Sequence, residues 1–526
     1  MTESIINHVA GTPPAPGHRI SFVRLDGTET LDLPDLYARA GRLALELRRR
    51  YGIGPGDRIG ILGANALEWV LLDLAALRLK VVTAGFEPGK FQADGALLAR
   101  YDLTLLCTDQ DCPPTQGVLS FREIRRLADL AEPDPGEPLP PVAYAPGDAT
   151  TLKFTSGSTG PPKGLAATVG SIDSSLRAVQ EMFAHGPGDD LFVFLPLSLL
   201  QQRYWIYSAL RYGHDVTVST YEAAFAALAA ARPTVVMGVP AFYETAKKHI
   251  EARVRSNGNG ANGTGANGYG ANGAADGHAA EARRLFGDRI RYLWTGSAPA
   301  GATMLRFFTA AGLPIYEGYG LNETCIVSKN HPGAHREGSV GRVLPGKEVL
   351  LDENGVVSVR SDYPVNVRYE YAAPGESERV FGPGGIVRTG DVGHIDEDGF
   401  LYIRGRADDV IVLDNGKKVI VRPIEEHMKT SPAIEECVVF CPAQTHLVAV
   451  VSPPREPADE PAIAAQLART NAAFGRDEQI KKIVVAEPRL SIENGLLTSQ
   501  YKPRRQRIFE LYRPEIQDNR RGIHAR

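Results

Sequence analysis

The sequence predicts an α/β protein with parallel sheets over roughly its first four hundred residues, followed by a smaller α+β unit. Three observations predict this. Short β-branched runs alternate with stretches of helical period up to about residue 350, the texture then changes to short strands joined by Gly and Asp turns, and a helix-strand alternation resumes at Pro423. With 526 residues, 43% of them hydrophobic, the chain can bury several cores. Its 58 Lys and Arg against 62 Asp and Glu leave a formal charge of −4, which offers no basic field to a nucleic acid. Any phosphate chemistry has to be local.

In chain order, SFVRL and TETLDL meet across Asp26-Gly27 as a hairpin. Strands are expected at 58–62, 104–108, 191–195, 215–219, 234–237 and 291–294, and helices at 35–50, 65–78, 170–183, 221–231 and 300–311. The stretch 256–278 is almost entirely Gly, Asn and Ala, cannot supply a hydrophobic face, and is expected to be a disordered surface insertion. Its two GxGxxG matches, at 258–263 and 268–273, follow from composition, since no strand precedes them. The boundary is placed between 1–407 and 408–526.

The N-terminal MTESIINHVAG lacks the basic and apolar regions of a secretion signal, so a cytoplasmic protein is expected. The longest apolar region, Trp69 to Val82, is broken by Asp73, Arg78 and Lys80, and no integral membrane segment is expected. Five cysteines without a CxxC pair are read as reduced, mostly packed thiols.

The strongest chemical signal is TLKFTSGSTGPPKG at 151–164. A β-like run enters a loop in which Gly157, Gly160 and Gly164 let backbone N–H groups converge on an anion. The hydroxyls of Thr155, Ser156, Ser158 and Thr159 add donors, and Lys163 adds charge. The Walker pattern does not fit, because Pro162 precedes Lys163 and Gly164 follows it.

Further landmarks follow in order: TGSAP at 295–299, YEGYGLNET at 316–324, RTGD at 388–391, GRADD at 405–409 and LLTSQYKPRR at 496–505. Together these strings make the chain resemble the ANL adenylating superfamily, which contains acyl-CoA synthetases, adenylation domains of peptide synthetases, and luciferases. The resemblance implies a large N-terminal adenylate-forming domain with parallel sheets and a distorted β-barrel, and a small mobile C-terminal domain. It also implies ATP and Mg²⁺, with CoA as co-substrate.

Each landmark has a physical reading. Tyr319, between Gly318 and Gly320, can lie flat on a purine; Glu317 can accept from the adenine amino group, and Gly296, Ser297 and Ala298 can line the other side. Leu321 and Asn322 continue this loop, Asn322 standing where the family usually has threonine beside the α-phosphate. Glu323 is a hard carboxylate suited to Mg²⁺, with Thr155 as a second contact. Asp391 can accept the ribose hydroxyls and Arg406 can donate to the same sugar.

The resemblance implies that Lys502 reaches into the ATP site and bridges carboxylate and α-phosphate. A compact ammonium suits the gathering of two anions. Asp408 matches the family's hinge, and Gly416 and Lys417 match the loop facing the CoA tunnel. GVPAFYE at 238–244 and NGKKVIVRPIEE at 415–426 are similar to the long-chain acyl-CoA synthetase branch. Where that branch reads LPLAHxxER, however, this chain reads LPLSLLQQR at 195–203, with Leu199 for the gating histidine and Gln202 for the glutamate. Gln202, Tyr204, Trp205, Gly238 and Val239 are expected to shape the acyl pocket.

The expected activity is an AMP-forming acid–thiol ligase acting on a fatty acid or on a bulkier acid of a natural-product pathway. The alternatives are a stand-alone acyl-AMP-forming enzyme that serves an acyl carrier protein or partner ligase, and a nonenzymatic nucleotide-binding protein.

Overall fold

The strands assigned from the sequence divide between two parallel sheets that share one layer of helices. The computed structural model describes residues 3–130, 139–154, 163–260, 271–363, 365, 367–415, 417–442, 446–498, 502–518 and 522–525, of which 257–260 and 271–275 as backbone only. Among these, the larger sheet has nine strands in the order Arg342–Val343, Cys325–Lys329, Ile315–Leu321, Tyr292–Thr295, Val235–Gly238, Asp190–Val193, Asp215–Ser219, Arg19–Arg24, Gly27–Asp32. Its centre is parallel and both ends are antiparallel. The hairpin expected at Asp26-Gly27 is one of those ends, with Arg24 opposite Gly27. The smaller sheet has six strands, Val118–Ser120, Leu105–Thr108, Arg58–Leu62, Val82–Phe86, Ala149–Phe154 and Gly164–Thr168, antiparallel only in the last pair.

Alternate residues of the larger sheet feed two cores. Leu191, Val193, Val235, Tyr292 and Trp294 belong to the shared layer, which also takes Ile59 and Ile61 from the smaller sheet and the helices Leu67–Leu79, Val169–Phe183 and Leu200–Tyr212. Phe192, Val236 and Leu293 belong to the opposite core, under Pro240–Gly260, Ala271–Phe286 and Ala302–Ala310. Leu67–Leu79 is apolar nearly all round, and between two sheets nearly all of it is buried. Of its two buried acids, Glu68 and Asp73, the second takes Arg203 Nη1 at 2.8 Å and the Tyr207 hydroxyl at 2.5 Å. The charge is therefore compensated where water cannot reach it.

Both ends of the Gly/Asn-rich stretch are helical, in contrast to the disorder expected over 256–278; its centre, 261–270, lies outside the described residues. The physical reason lies in the flanks. Ala246 and Ile250 of one helix and Ala282 and Phe286 of the other are buried in one core, and the anchored turns continue into sequence that has no apolar face of its own.

Beyond residue 344 comes a four-stranded antiparallel sheet, Lys347–Leu351, Val356–Ser361, Ile386–Ile395 and Leu401–Arg406, hydrogen-bonded at Leu401 to Val340 and Gly341. The C-terminal unit opens with the ribbon Val410–Val412/Lys418–Ile420 and the helix Arg422–Met428. It continues with a mixed sheet of Glu436–Phe440, Leu447–Ser452, Ile480–Val485 and Ile523–His524. Glu460–Ala473 packs on one face of that sheet and Arg505–Gln517 on the other.

Candidate active site

The strand Ile315–Leu321 ends the parallel part of the larger sheet and carries Glu317, Gly318, Tyr319 and Gly320. Its glycines are demanded by contact. A Cβ on Gly320 would stand 2.0 Å from the Cys325 carbonyl oxygen, and one on Gly318 would meet Lys329 Cδ at 2.7 Å. The chain turns sharply after them, between Leu321 and Cys325, with Leu321 N donating to Thr324 Oγ1 at 2.9 Å and Cys325 held at φ 56°. Asn322 and Glu323 stand on that turn. From the neighbouring strand, Gly296 approaches so closely that its Cβ would lie 3.4 Å from the Gly318 carbonyl oxygen, and Ser297 adopts φ 69°. Gly296, Ser297 and Ala298 therefore follow the strand paired with that of Glu317 and Tyr319, as the adenine-slot reading requires.

Tyr319 Oη donates to Asp391 Oδ2 at 2.5 Å. Arg406, cross-strand partner of Asp391, donates from Nη1 to Asp391 Oδ1 at 3.2 Å and to the Thr389 carbonyl at 2.6 Å. Gly390, at φ 71°, leaves room for that guanidinium, which a Cβ would meet at 2.8 Å. Burial together with the Asp391 charge raises the Tyr319 pKa. Burial pulls the Arg406 pKa down, but Asp391 outweighs it and the net shift is upward. Tyr319, Asp391 and Arg406, three of the nucleoside residues proposed from sequence, are thus one hydrogen-bonded unit.

Glu317 is half-buried, and desolvation pushes its carboxyl up to about 7 against the Ala300 N–H, Lys329 and Arg422, which pull it down. Lys329 itself is fully buried over the Trp294 ring at 3.9 Å, donates to the Tyr316 carbonyl at 2.7 Å, and has its pKa driven well down by burial.

Two side chains that sequence reasoning missed organise the metal and phosphate side. Tyr369 Oη donates to Glu323 Oε1 at 2.9 Å, and Lys163 Nζ lies 5.1 Å from the Tyr369 ring centre and 2.9 Å from Glu376 Oε1. Both belong to YPVNVRYEYAAPGESERV, whose only signal was a pair of tyrosines between Pro- and Gly-bounded turns. Glu323 Oε2 accepts from none of the described residues, and those residues contain no group of three metal-ligating side chains. One free carboxylate oxygen fits Mg²⁺, which fills its remaining positions with water and phosphate. Thr155, Ser156, Gly157, Ser158, Thr159 and Gly160 lie outside the described residues, as does Gly416.

Lys502 sits on a narrow hairpin. Thr498 N donates to its carbonyl at 2.8 Å, its N–H donates to Thr498 Oγ1 at 3.1 Å, and Arg504 N donates to Leu496 O at 2.8 Å. Its side chain is exposed. Desolvation by its surroundings, with Arg406 and Arg422, lowers its pKa, while Asp391 opposes this. Lys502 therefore lies within electrostatic reach of the nucleoside unit. Asp408, 85% exposed in the turn Ala407–Asp409, lies 3.5 Å from Arg406 Nη2. Lys417 is paired with Asp477, which Asn415 also holds at 3.1 Å.

The residues expected to shape the acyl pocket lie on two segments. Gln202, Tyr204 and Trp205 lie on Leu200–Tyr212 in the shared layer, where Trp205 packs edge-on against Trp294 at 5.1 Å and Tyr204 Oη meets Cys325 Sγ at 3.1 Å. Gly238 packs against Phe242 and Tyr243, and Val239 belongs to the opposite core. The strand alternation that sets these faces was legible; which face each helix covers was not.

A glycine-lined nucleoside slot, an exposed lysine within its electrostatic reach and a lone hard carboxylate fit a nucleotide-dependent enzyme that works at phosphorus. The comparisons agree. The AMP-binding enzyme family model matches residues 13–361 and the AMP-binding enzyme C-terminal domain matches 408–520. The chain belongs to the AMP-binding enzymes of the ANL superfamily. A long-chain-fatty-acid–CoA ligase of Mycobacterium bovis, FadD15, is 27% identical over 89% of this chain and 88% of its own. Two solved structures share the fold at 20% identity. ATP-bound MatB from Rhodopseudomonas palustris has a TM-score of 0.77 over 98% of this chain and 100% of that one. The o-succinylbenzoate CoA synthetase MenE of Bacillus subtilis, with its acyl-adenylate, has 0.73 over 99% of both.

Proposed function

We infer that this chain is an ATP-dependent acid–thiol ligase. A carboxylate attacks the α-phosphorus of ATP, pyrophosphate leaves with the electrons of the broken P–O bond, and the thiol of CoA then attacks the acyl carbon and releases AMP. The observation that carries the reading is the joining of Tyr319, Asp391 and Arg406 into one hydrogen-bonded unit whose charges reach Lys502.

In this reading the Tyr319 ring and Glu317 hold adenine, while Asp391 and Arg406 hold ribose. Glu323, with Thr155, holds Mg²⁺, whose charge polarises the phosphates when it is bound. Ser156, Gly157, Ser158, Thr159, Gly160 and Lys163 cradle the phosphates. Lys502 draws the two anions together at the reacting phosphorus and excludes water from the mixed anhydride. The units 1–407 and 408–526 turn about Asp408 between the half-reactions, and Gly416 and Lys417 face the pantetheine in the second. An acyl carrier protein as acceptor is the competing reading. The name of the M. bovis relative supports a fatty acid and CoA.

ATP–pyrophosphate exchange across a panel of carboxylic acids, followed by product analysis with CoA or with carrier protein, tests this. Exchange with at least one acid and CoA thioester as product are expected. Exchange with no acid would remove the ligase reading, and transfer only to carrier protein would replace CoA as acceptor.

A further inference from the structure

We propose that Lys153 is an oxyanion contact of this site, its ammonium closing on a phosphate oxygen of the nucleotide or on the carboxylate of the acid. This rests on the ligase reading above and adds a residue that none of the landmarks contains in that role.

Lys153 lies on the strand Ala149–Phe154, two residues ahead of Thr155. Alternation sends Leu152 and Phe154 to an apolar cluster with Phe86 and Tyr101. Thr151 and Lys153 take the opposite face. There Thr151 Oγ1 accepts from Arg203 Nη2 at 2.9 Å, so this face meets the helix Leu200–Tyr212.

Lys153 is 5% exposed and makes no hydrogen bond or ion pair with a described residue. The contrast with the other sheltered cations of the chain is sharp. Arg203 has Asp73, so that carboxylate is already taken. Lys329 has the Tyr316 carbonyl, Lys347 has the Thr324 carbonyl at 2.7 Å, and Lys482 has the carbonyls of Glu515 and Asp518. Each of these ammonium groups is paid for by backbone oxygens; Lys153 is not. Burial lowers its pKa; the Cys325 thiol and Glu323 pull it up, and Arg203 and Lys347 repel it. Gln202 Oε1 and Arg203 Nε, on the facing helix, are buried without a partner among the described residues.

A buried ammonium without an acceptor is costly, and an apolar side chain on this strand would avoid the cost. The ammonium is therefore kept for an anion that arrives. Its neighbourhood to Glu323 and its place at the entry to the TSGSTG string leave two arrivals, both oxyanions: the phosphates and the reacting carboxylate.

The test uses the full chain with Lys153→Met and, as a second variant, Lys153→Gln. Melting temperature is read without ligand. Dissociation constants are read for Mg·ATP, AMP and inorganic pyrophosphate, and for octanoate and benzoate in the presence of AMP. The expected result is a melting temperature equal to or above that of the unmodified protein, with at least one oxyanion bound tenfold or more weaker. Loss of ATP and pyrophosphate assigns the contact to phosphate, and loss of octanoate or benzoate alone assigns it to the carboxylate. Shifts below tenfold for every probe overturn the proposal. Should neither variant fold, acetic anhydride labelling of the unmodified protein decides: Lys153 must react in the empty site and be protected at least fivefold by one of the probes, and absence of either effect overturns it. Nucleotide binding tests Lys153 even where exchange finds no acid, so the two readings fail separately.

Discussion

Tyr319 Oη stands 2.5 Å from Asp391 Oδ2, while Arg406 Nη1 holds Oδ1 of the same carboxylate at 3.2 Å. A sugar has to bind Asp391 beside the phenol or displace it. Tyr319→Phe keeps the ring and frees Oδ2, so ATP affinity should change by less than about threefold. Asp391→Asn should weaken ATP by roughly ten- to a hundredfold, the scale of a hydrogen bond to a charged group. Calorimetry with ATP and AMP checks both. Equal losses would make the phenol hydroxyl itself a nucleotide contact.

The Tyr369 hydroxyl fixes one oxygen of Glu323 and its ring lies under Lys163. Tyr369→Phe should raise the Mg²⁺ concentration needed for half-maximal exchange severalfold, with melting temperature and acid dependence little changed. Mn²⁺ binding followed by electron paramagnetic resonance in the presence of ATP should weaken in parallel. An unchanged metal requirement would reduce Tyr369 to a packing residue.

Lys502→Ala should lower pyrophosphate exchange by about 10² while thioester formation from preformed acyl-adenylate survives, the scale of removing a charge contact from the transition state. Asp408→Pro should do the reverse, since a φ fixed near −65° restricts rotation and leaves the ATP site assembled. Equal losses in both assays for both variants would contradict a division of labour between two arrangements.

Burial raises the Glu317 carboxyl from the usual 4.5 to about 7. The folded protein therefore holds this proton more tightly than the unfolded chain. The stability it brings is complete below about pH 4.5 and is lost as pH rises through 7. Glu317→Gln has no such loss, so its melting temperature relative to wild type should climb between pH 5 and 7.5, in steps readable by scanning fluorimetry. A flat difference would show an ordinary carboxyl.

Trp205, 1% exposed against Trp294, fills the shared helical layer. Trp205→Ala should cost about 3–5 kcal/mol in stability by opening a cavity. An altered acid preference without destabilisation would restore it to the acyl pocket.

The local chemistry was legible because it depends on short strings. The strands 58–62 and 215–219 fall where β-branched residues place them, and Gly320 beside Tyr319 is required by backbone contacts of 2.0 to 3.0 Å. What was hidden depends on long-range packing. Alternation gives two faces but does not say what covers them, so Trp205 and Val239 were assigned to one pocket and lie in separate cores. Tyr369 sits 46 residues from Glu323 in sequence, and no local period announces that meeting. Helical turns in the Gly/Asn-rich stretch follow from anchors outside it.

Arg505, three residues after Lys502, lies 3.3 Å from Asp409 and also pairs with Glu425. The residue that follows the Lys502 segment is thus clamped to the neighbour of the proposed hinge and to the first helix of its own unit. On the two-arrangement reading proposed above, the lysine travels as a crank whose reach is set by the angle of the whole unit. Cutting the clamp, as in Arg505→Ala, turns a two-position lever into a slack tether, and such an enzyme would lose timing before it lost chemistry.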